Sequence, residues 1–277
     1  MLDPTRCDPA LLELVDRVVA ELESRRARLI TSDVMLVGAG CRDILHSALG
    51  HDFALRATRD IDLGLAIASW TTYDRLTSNL RPIDSTGIRY TIADVPVDLI
   101  PFGGIEIPPG TATPASRKEP INVWGFNEAF RAAHSLPLPH AGAIRIPTIA
   151  GYTALKLEAW LDRSAFGDYR DASDIATAMY WYLHSSDIAD FLYETPAGQL
   201  LLQSEELDER AAAARALGQD VISLIGPDRH IELAHRWPSP RADIFYNQMT
   251  VVNAPDWPSD PHRRQQLAEA FQRGLNI

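Results

Sequence analysis

Val37-Gly38-Ala39-Gly40-Cys41-Arg42-Asp43, followed by Arg56-Ala57-Thr58-Arg59-Asp60-Ile61-Asp62-Leu63-Gly64, decides how this chain reads. Two acids one residue apart on a strand project to the same face. Asp60 and Asp62 have that spacing, while Ile61, Leu63, Leu65 and Ile67 fall on the opposite face and read as core. Two adjacent carboxylates repel each other unless a cation lies between them. Magnesium is the natural guest, because it prefers carboxylate oxygen and usually arrives with substrate phosphates. The glycine turn upstream opens a helix whose first N–H groups suit a phosphate. Half of a nucleotide-transfer site is expected here. Gly38 and Ala39 lie at its turn, and Arg42, Arg56 and Arg59 cluster beside it in sequence.

The surrounding pattern is α/β. Asp8-Pro9 reads as an N-cap with proline at the first helical position. Leu11, Leu14, Val15, Val18 and Leu22 then recur at helical spacing, with an end expected near Arg28. Val34 to Val37 reads as a short buried strand, and a helix is expected from about Cys41 to Leu49. Asp60 to Ile67 is the next strand, and Ser69 opens a helix to about Asn79. Ile88 to Ile92 and Val95 to Ile100 read as a strand pair around Ala93-Asp94. The Gly-, Pro- and Thr-rich stretch 103–120 is expected to be a loop or lid, followed by a short helix at 127–133 and a strand at 143–146. From Thr148 onward the pattern is helical, punctuated by Pro227, Pro238 and Pro240. The fold class expected is α/β (α+β), a mixed-sheet domain over 1–147 and a helical domain over 148–277.

A third acid, Asp98, stands in Val95-Pro-Val-Asp-Leu-Ile-Pro-Phe, with Val95, Val97 and Leu99 on the other strand face. An edge-strand residue facing water would explain it. So would a third metal-site carboxylate able to accept a proton from an attacking hydroxyl. In Tyr152-Thr-Ala-Leu-Lys-Leu-Glu-Ala-Trp-Leu-Asp-Arg163, Lys156, Trp160 and Arg163 share one helix face. Ala150, Ala154, Leu157 and Leu161 form the opposite, core-facing stripe. The first face is either a solvated basic face or a grip on a triphosphate with a tryptophan to stack the base. Asp171 and Asp174 begin a helix, where acids complement the dipole, or else one of them pairs with Lys156 or Arg163 and fixes it. The histidines show no metal-ligand spacing. A dinucleotide fingerprint competes for Val37-Gly-Ala-Gly, but Asp43 replaces its third glycine, and Asp60 begins its strand where that fingerprint's acid ends one.

Taken in order, Gly38-Ala39, the run Arg56 to Leu63, Val97-Asp-Leu-Ile-Pro-Phe-Gly103, and Lys156 with Arg163 and Asp171 resemble the nucleotidyltransferases of the AbiEii/AbiGii toxin family, within the polymerase-beta-like superfamily. The resemblance spans roughly residues 34 to 185, and the last ~90 residues share only helical character. It implies transfer of a nucleoside monophosphate from a nucleoside triphosphate to an acceptor hydroxyl, with two magnesium ions. It implies Asp60, Asp62 and Asp98 as metal ligands, with Lys156 joining them in catalysis. Gly38, Ala39, Arg42, Arg59, Lys156, Arg163, Asp171 and Asp174 would form the nucleotide side, across a cleft closed by the helical domain. An RNA acceptor (the tRNA 3′ end) and a neutralising antitoxin protein are the partners implied. The alternatives are transfer to a protein hydroxyl, or an inactive relative that binds nucleotide or a partner. Ala39 departs from the pattern, since the superfamily often carries there a serine that can touch a phosphate.

The net charge of the 277-residue chain is −11, which argues against indiscriminate binding of polyanions but leaves room for a local basic pocket. Only two cysteines are present, Cys7 and Cys41, and Cys41 lies in the turn beside the acids. A reduced, cytoplasmic setting is therefore expected, with no signal peptide in the acidic N-terminus and no membrane span.

Overall fold

The structure, a computed structural model, describes residues 4–24, 30–58, 60–115, 117, 119–237 and 242–277. Its α/β architecture divides into two compact units, Met1–Asp52 with Arg56–Thr148, and Phe53–Leu55 with Ile149–Ile277. The chain therefore changes unit at 148/149, close to the expected boundary, and makes one excursion at 53–55 that the sequence did not signal.

The first unit is built on helices α1 (Pro9–Ser24), α2 (Gly38–Ala48), α3 (Trp70–Thr77) and α4 (Phe126–Ala132) and strands β1 (Val34–Val37), β2 (Ile61–Ile67), β3 (Arg81–Pro82), β4 (Arg89–Ile92), β5 (Val95–Gly103), β6 (Thr111–Ala112), β7 (Ile121–Asn122), β8 (His134–Pro137) and β9 (Ala143–Ile146). Seven strands form one mixed sheet in the order β3-β4-β5-β2-β1-β9-β8, and β6 and β7 pair separately. Strand β2 is antiparallel to β1 and parallel to β5. Its odd-numbered residues Ile61, Leu63, Leu65 and Ile67 are all buried, as the alternation predicts. On the opposite face Phe102 packs against Phe126 and Phe130 of α4, with ring centroids 5.5 Å apart in each case. Gly64 makes room for that contact, since a Cβ there would lie 3.1 Å from the Phe102 ring. Asp8 caps α1 as expected, its Oδ1 accepting from Ala10 N at 2.9 Å. On α1 itself, buried Asp16 ties down a distant loop by accepting from His140 N and Ala141 N.

Three local expectations need correction. Helix α2 begins at Gly38 itself rather than near Cys41, because Gly38 takes φ +64° and the turn is completed within the first residue. Asp60 precedes β2 instead of opening it. The stretch 103–120 is no simple loop, since it contributes β6 and is braced by Glu106, whose carboxylate accepts from Gly103 N, Gly110 N and Asn127 Nδ2. The expected helix end at Arg28 and the breaks at Pro238 and Pro240 lie outside the described residues.

The second unit is helical. It comprises α5 (Ile149–Arg163), α6 (Arg170–Leu183), α7 (Ser186–Glu194), α8 (Pro196–Ser204), α9 (Glu209–Arg236), α10 (Ala242–Gln248) and α11 (Pro261–Leu275). Pro227 follows a break in α9 at Gly226, whose backbone is non-helical (φ 76°, ψ 175°). Helices α9 and α11 cross at two glycines: a Cβ on Gly218 would lie 2.4 Å from Phe271 O, and one on Gly274 2.1 Å from Arg215 O. Buried Glu205 braces the same crossing through Arg215 of α9, 2.9 Å away, and Arg273 of α11, 2.5 Å away. Phe53 belongs to this unit, packing edge-on against Tyr180 of α6 at 5.2 Å.

Candidate functional site

The acids of the first unit converge on one sheet face by register. Asp62 on β2 lies opposite Asp98 on β5 in the parallel pair, and Arg89 on β4 lies opposite Asp98 in the antiparallel pair. Residues directly opposite in a ladder share a face, so Asp62, Asp98 and Arg89 form a row across three strands. Asp60, just before β2, reaches the same row. The Arg89 guanidinium bonds Asp60 Oδ2 at 3.0 Å and makes a 3.7 Å ion contact with Asp98 Oδ1. Thr58 Oγ1 donates to the other oxygen of Asp60 at 2.6 Å.

The glycine turn meets this row at its Asp62 end. Val37, the last residue of β1, pairs with Asp62, so Gly38 is the next residue along. A Cβ on Gly38 would fall 1.9 Å from Asp62 Oδ2, and its φ of +64° is one that side chains resist. Glycine is therefore required twice over at this position. Val37, the N-cap residue of α2, makes no side-chain cap hydrogen bond. The first-turn N–H groups of the helix open beside the carboxylate row, the arrangement that suits an anion. Ala39, next in the turn, is nearly buried at 9% exposure.

The electrostatics differ along the row. Thr58's hydrogen bond, together with Arg89, holds the Asp60 carboxyl below the usual aspartate range despite partial burial. Asp98 is pushed up to about 6, first by burial and then by repulsion from Asp62 and Asp60, with Arg89 opposing. Asp98 Oδ1 is buried and has no hydrogen-bond partner. Oxygen-only donors, crowded negative charge and one carboxylate oxygen lacking a hydrogen bond make a donor set that fits a hard divalent cation. Among the described residues no three acid, histidine or cysteine side chains are gathered round a common point, and Arg89 stands between Asp60 and Asp98.

The remaining expected residues fall into distinct environments. Arg42, expected near phosphate, is 2% exposed. Its guanidinium is committed to Asp43 at 2.7 Å and to the Arg56 carbonyl at 2.5 Å, so it fastens α2 to the segment leading into the acids. Arg59 lies outside the described residues. Lys156 is 8% exposed. It pairs with Asp171 at 3.2 Å and Asp174 at 2.6 Å, and Arg163 joins Asp171 at 3.4 Å. Burial opposes the lysine's charge, but the two carboxylates outweigh it and raise the pKa. Arg163 keeps half its side chain exposed. Trp160 needs correction: it is fully buried, packed against Tyr169 at 5.9 Å and Phe245 at 5.0 Å, and is a core residue with no face for a base. Helix α5 is buried on both sides, so its amphipathic reading holds only for the apolar stripe.

Sequence reading missed Thr58 and Arg89. Arg89 was within reach. Ala93 and Asp94 both have positive φ (50° and 64°) and form a two-residue hairpin turn. Counting back from the pair Ile92–Val95 places Arg89 opposite Asp98.

Comparison with known protein families and with curated proteins finds no match. Both cysteines are buried, and neither forms a disulfide. Among the described residues no helix is long and apolar enough to cross a membrane.

Proposed function

We propose that the chain is a magnesium-dependent nucleotidyltransferase that moves a nucleoside monophosphate from a nucleoside triphosphate to an acceptor hydroxyl, with RNA, in particular the tRNA 3′ end, as the acceptor. One observation carries the reading: Asp62 and Asp98 stand side by side on parallel strands while a mandatory glycine at the N-terminus of α2 lies against Asp62. A carboxylate pair and an anion-binding helix start, within one residue contact of each other, suit a substrate that is a polyanion carried by a metal.

In this mechanism Asp60, Asp62 and Asp98 would hold magnesium, which when bound would offset the negative charge of the triphosphate and lower the pKa of the attacking hydroxyl. The first N–H groups of α2 receive phosphate oxygens at Gly38 and Ala39. Asp98, the acid at the β5 end of the row, takes the proton of the attacking hydroxyl. The hydroxyl oxygen bonds to the α-phosphorus, the bond from that phosphorus to the bridging oxygen breaks, and pyrophosphate leaves. Within the helical unit Arg163, half exposed, pairs with Asp171, which Lys156 also contacts together with Asp174. As a toxin, such an enzyme would be restrained by a partner antitoxin.

The test is a screen with each of the four triphosphates labelled at the α-phosphate, incubated with magnesium and either total RNA or total protein. Label in tRNA supports the whole reading. Label in protein keeps the chemistry and moves the acceptor. No label with any nucleotide in either pool overturns the proposal.

A further inference from the structure

Arg89 stands where a metal-bound site would need positive charge from elsewhere. It belongs to β4, yet its guanidinium reaches Asp60 Oδ2 at 3.0 Å and Asp98 Oδ1 at 3.7 Å. Those carboxylates come from the approach to β2 and from β5, so one side chain bridges two other segments of the sheet. The contact is no distant surface pair, since Arg89 and Asp60 are two-thirds buried and Asp98 four-fifths. A guanidinium offers a fixed fork of donors, and carboxylates that would repel each other are held together by it. A divalent ion bound to the same carboxylates needs the same oxygens. The two cations compete for them, because an arginine and a dication on shared carboxylates repel.

We propose that Arg89 is an internal competitor for the acid cluster: it clamps Asp60 to Asp98 in the metal-free protein and is displaced when a divalent ion binds. The inference rests on reading these acids as a cation site. Displacement subtracts the clamp from the ion's affinity, so the free protein binds metal weakly and fills the site fully only when the metal arrives with a nucleotide's phosphates. The enzyme is thereby kept from loading metal without substrate. Asp60 would feel the change most, since it exchanges a direct hydrogen bond for a metal bond while Thr58 keeps hold of its other oxygen.

The test is titration of the nucleotide-free protein with Mn2+, followed by the electron paramagnetic resonance signal of the free ion and, in parallel, by thermal unfolding. Arg89→Gln is expected to bind Mn2+ about tenfold more tightly than the wild type. Its melting temperature should be lower than wild type without metal, and the gap should close at saturating Mn2+. Arg89→Lys retains the charge and loses the fork, so its affinity should lie between the two, and it serves if the glutamine variant does not fold. Variants that bind Mn2+ no more tightly than wild type would overturn the clamp, as would a lysine variant identical to wild type. Those results would leave the proposed reaction standing. If no variant and no wild-type protein bound Mn2+, with or without a nucleoside triphosphate, the cation site itself would fall and the inference with it.

Discussion

At the scale of single residues, the acids are not equivalent, and their unlike environments give opposite expectations. Asp98 has a native pKa near 6 against 3.8 for an ordinary aspartate. Between those values the folded chain keeps a proton that the unfolded chain has released, so this group's contribution to stability declines as pH rises from about 4 to about 6. Metal-free Asp98→Asn should therefore be more stable than wild type at pH 8, by about 1 kcal/mol because water screens part of the cluster, and the gain should be almost gone by about pH 3.5, below the unfolded value. Urea unfolding at the two pH values measures it; an equal gain at both would show that the cost of ionising buried Asp98 is not the cause. Asp60 should show no such gain, because Thr58 and Arg89 already stabilise its charge. Lys156→Ala should cost about 3–5 kcal/mol of folding stability, since it leaves Asp171 and Asp174 buried without their shared cation. Unfolding of the variant with and without Asp171→Asn and Asp174→Asn checks the cause, for removing the acids should recover much of the loss. The sequence showed Asp62 and Asp98 through simple alternation. It could not show that Trp160 is core, because helical spacing gives the face of α5 and not what covers that face.

Elements were legible wherever one residue type forces the backbone. Alternating apolar residues gave β2, the Ala93-Asp94 turn gave the β4–β5 hairpin, and Asp8-Pro9 gave the start of α1. The short strands β3, β6, β7 and β8, of two to four residues, were missed, because so few residues carry no periodicity and pairing across the chain decides them. The α9–α11 crossing was invisible for a related reason. Gly218 and Gly274 look like ordinary helix weakeners in sequence, and only packing reveals that each admits the other helix's backbone. Gly274→Ala should therefore destabilise the helical unit by about 1–3 kcal/mol, despite alanine's better helix propensity. Chemical denaturation decides it: a variant more stable than wild type would mean that propensity, not contact, governs the crossing. Gly38→Ala tests the other glycine contact. It should reduce nucleotide transfer to background, because the new Cβ displaces Asp62, and it should cost about 1–2 kcal/mol from backbone strain alone. Transfer assays beside unfolding curves separate the two effects, and a fully active variant would remove the Gly38–Asp62 contact from the account.

For the whole molecule, the proposed reaction is nucleotidyl transfer by an α/β unit bearing Asp60, Asp62 and Asp98. The overall negative charge makes this demanding, since a chain of net charge −11 must attract a polyanionic substrate. In the proposed reaction, magnesium at the acid row and the N-terminus of α2 would supply the local positive potential in its place. The most direct measurement compares one triphosphate labelled at the α-phosphate with the same triphosphate labelled at the γ-phosphate, in magnesium with tRNA as acceptor, for wild type and Asp62→Asn. α-Label is expected to enter the RNA and γ-label to be released as pyrophosphate, and chelation or Asp62→Asn should abolish both while the fold is retained. Transfer of the γ-label, or undiminished α-label transfer by Asp62→Asn, would contradict the proposed reaction.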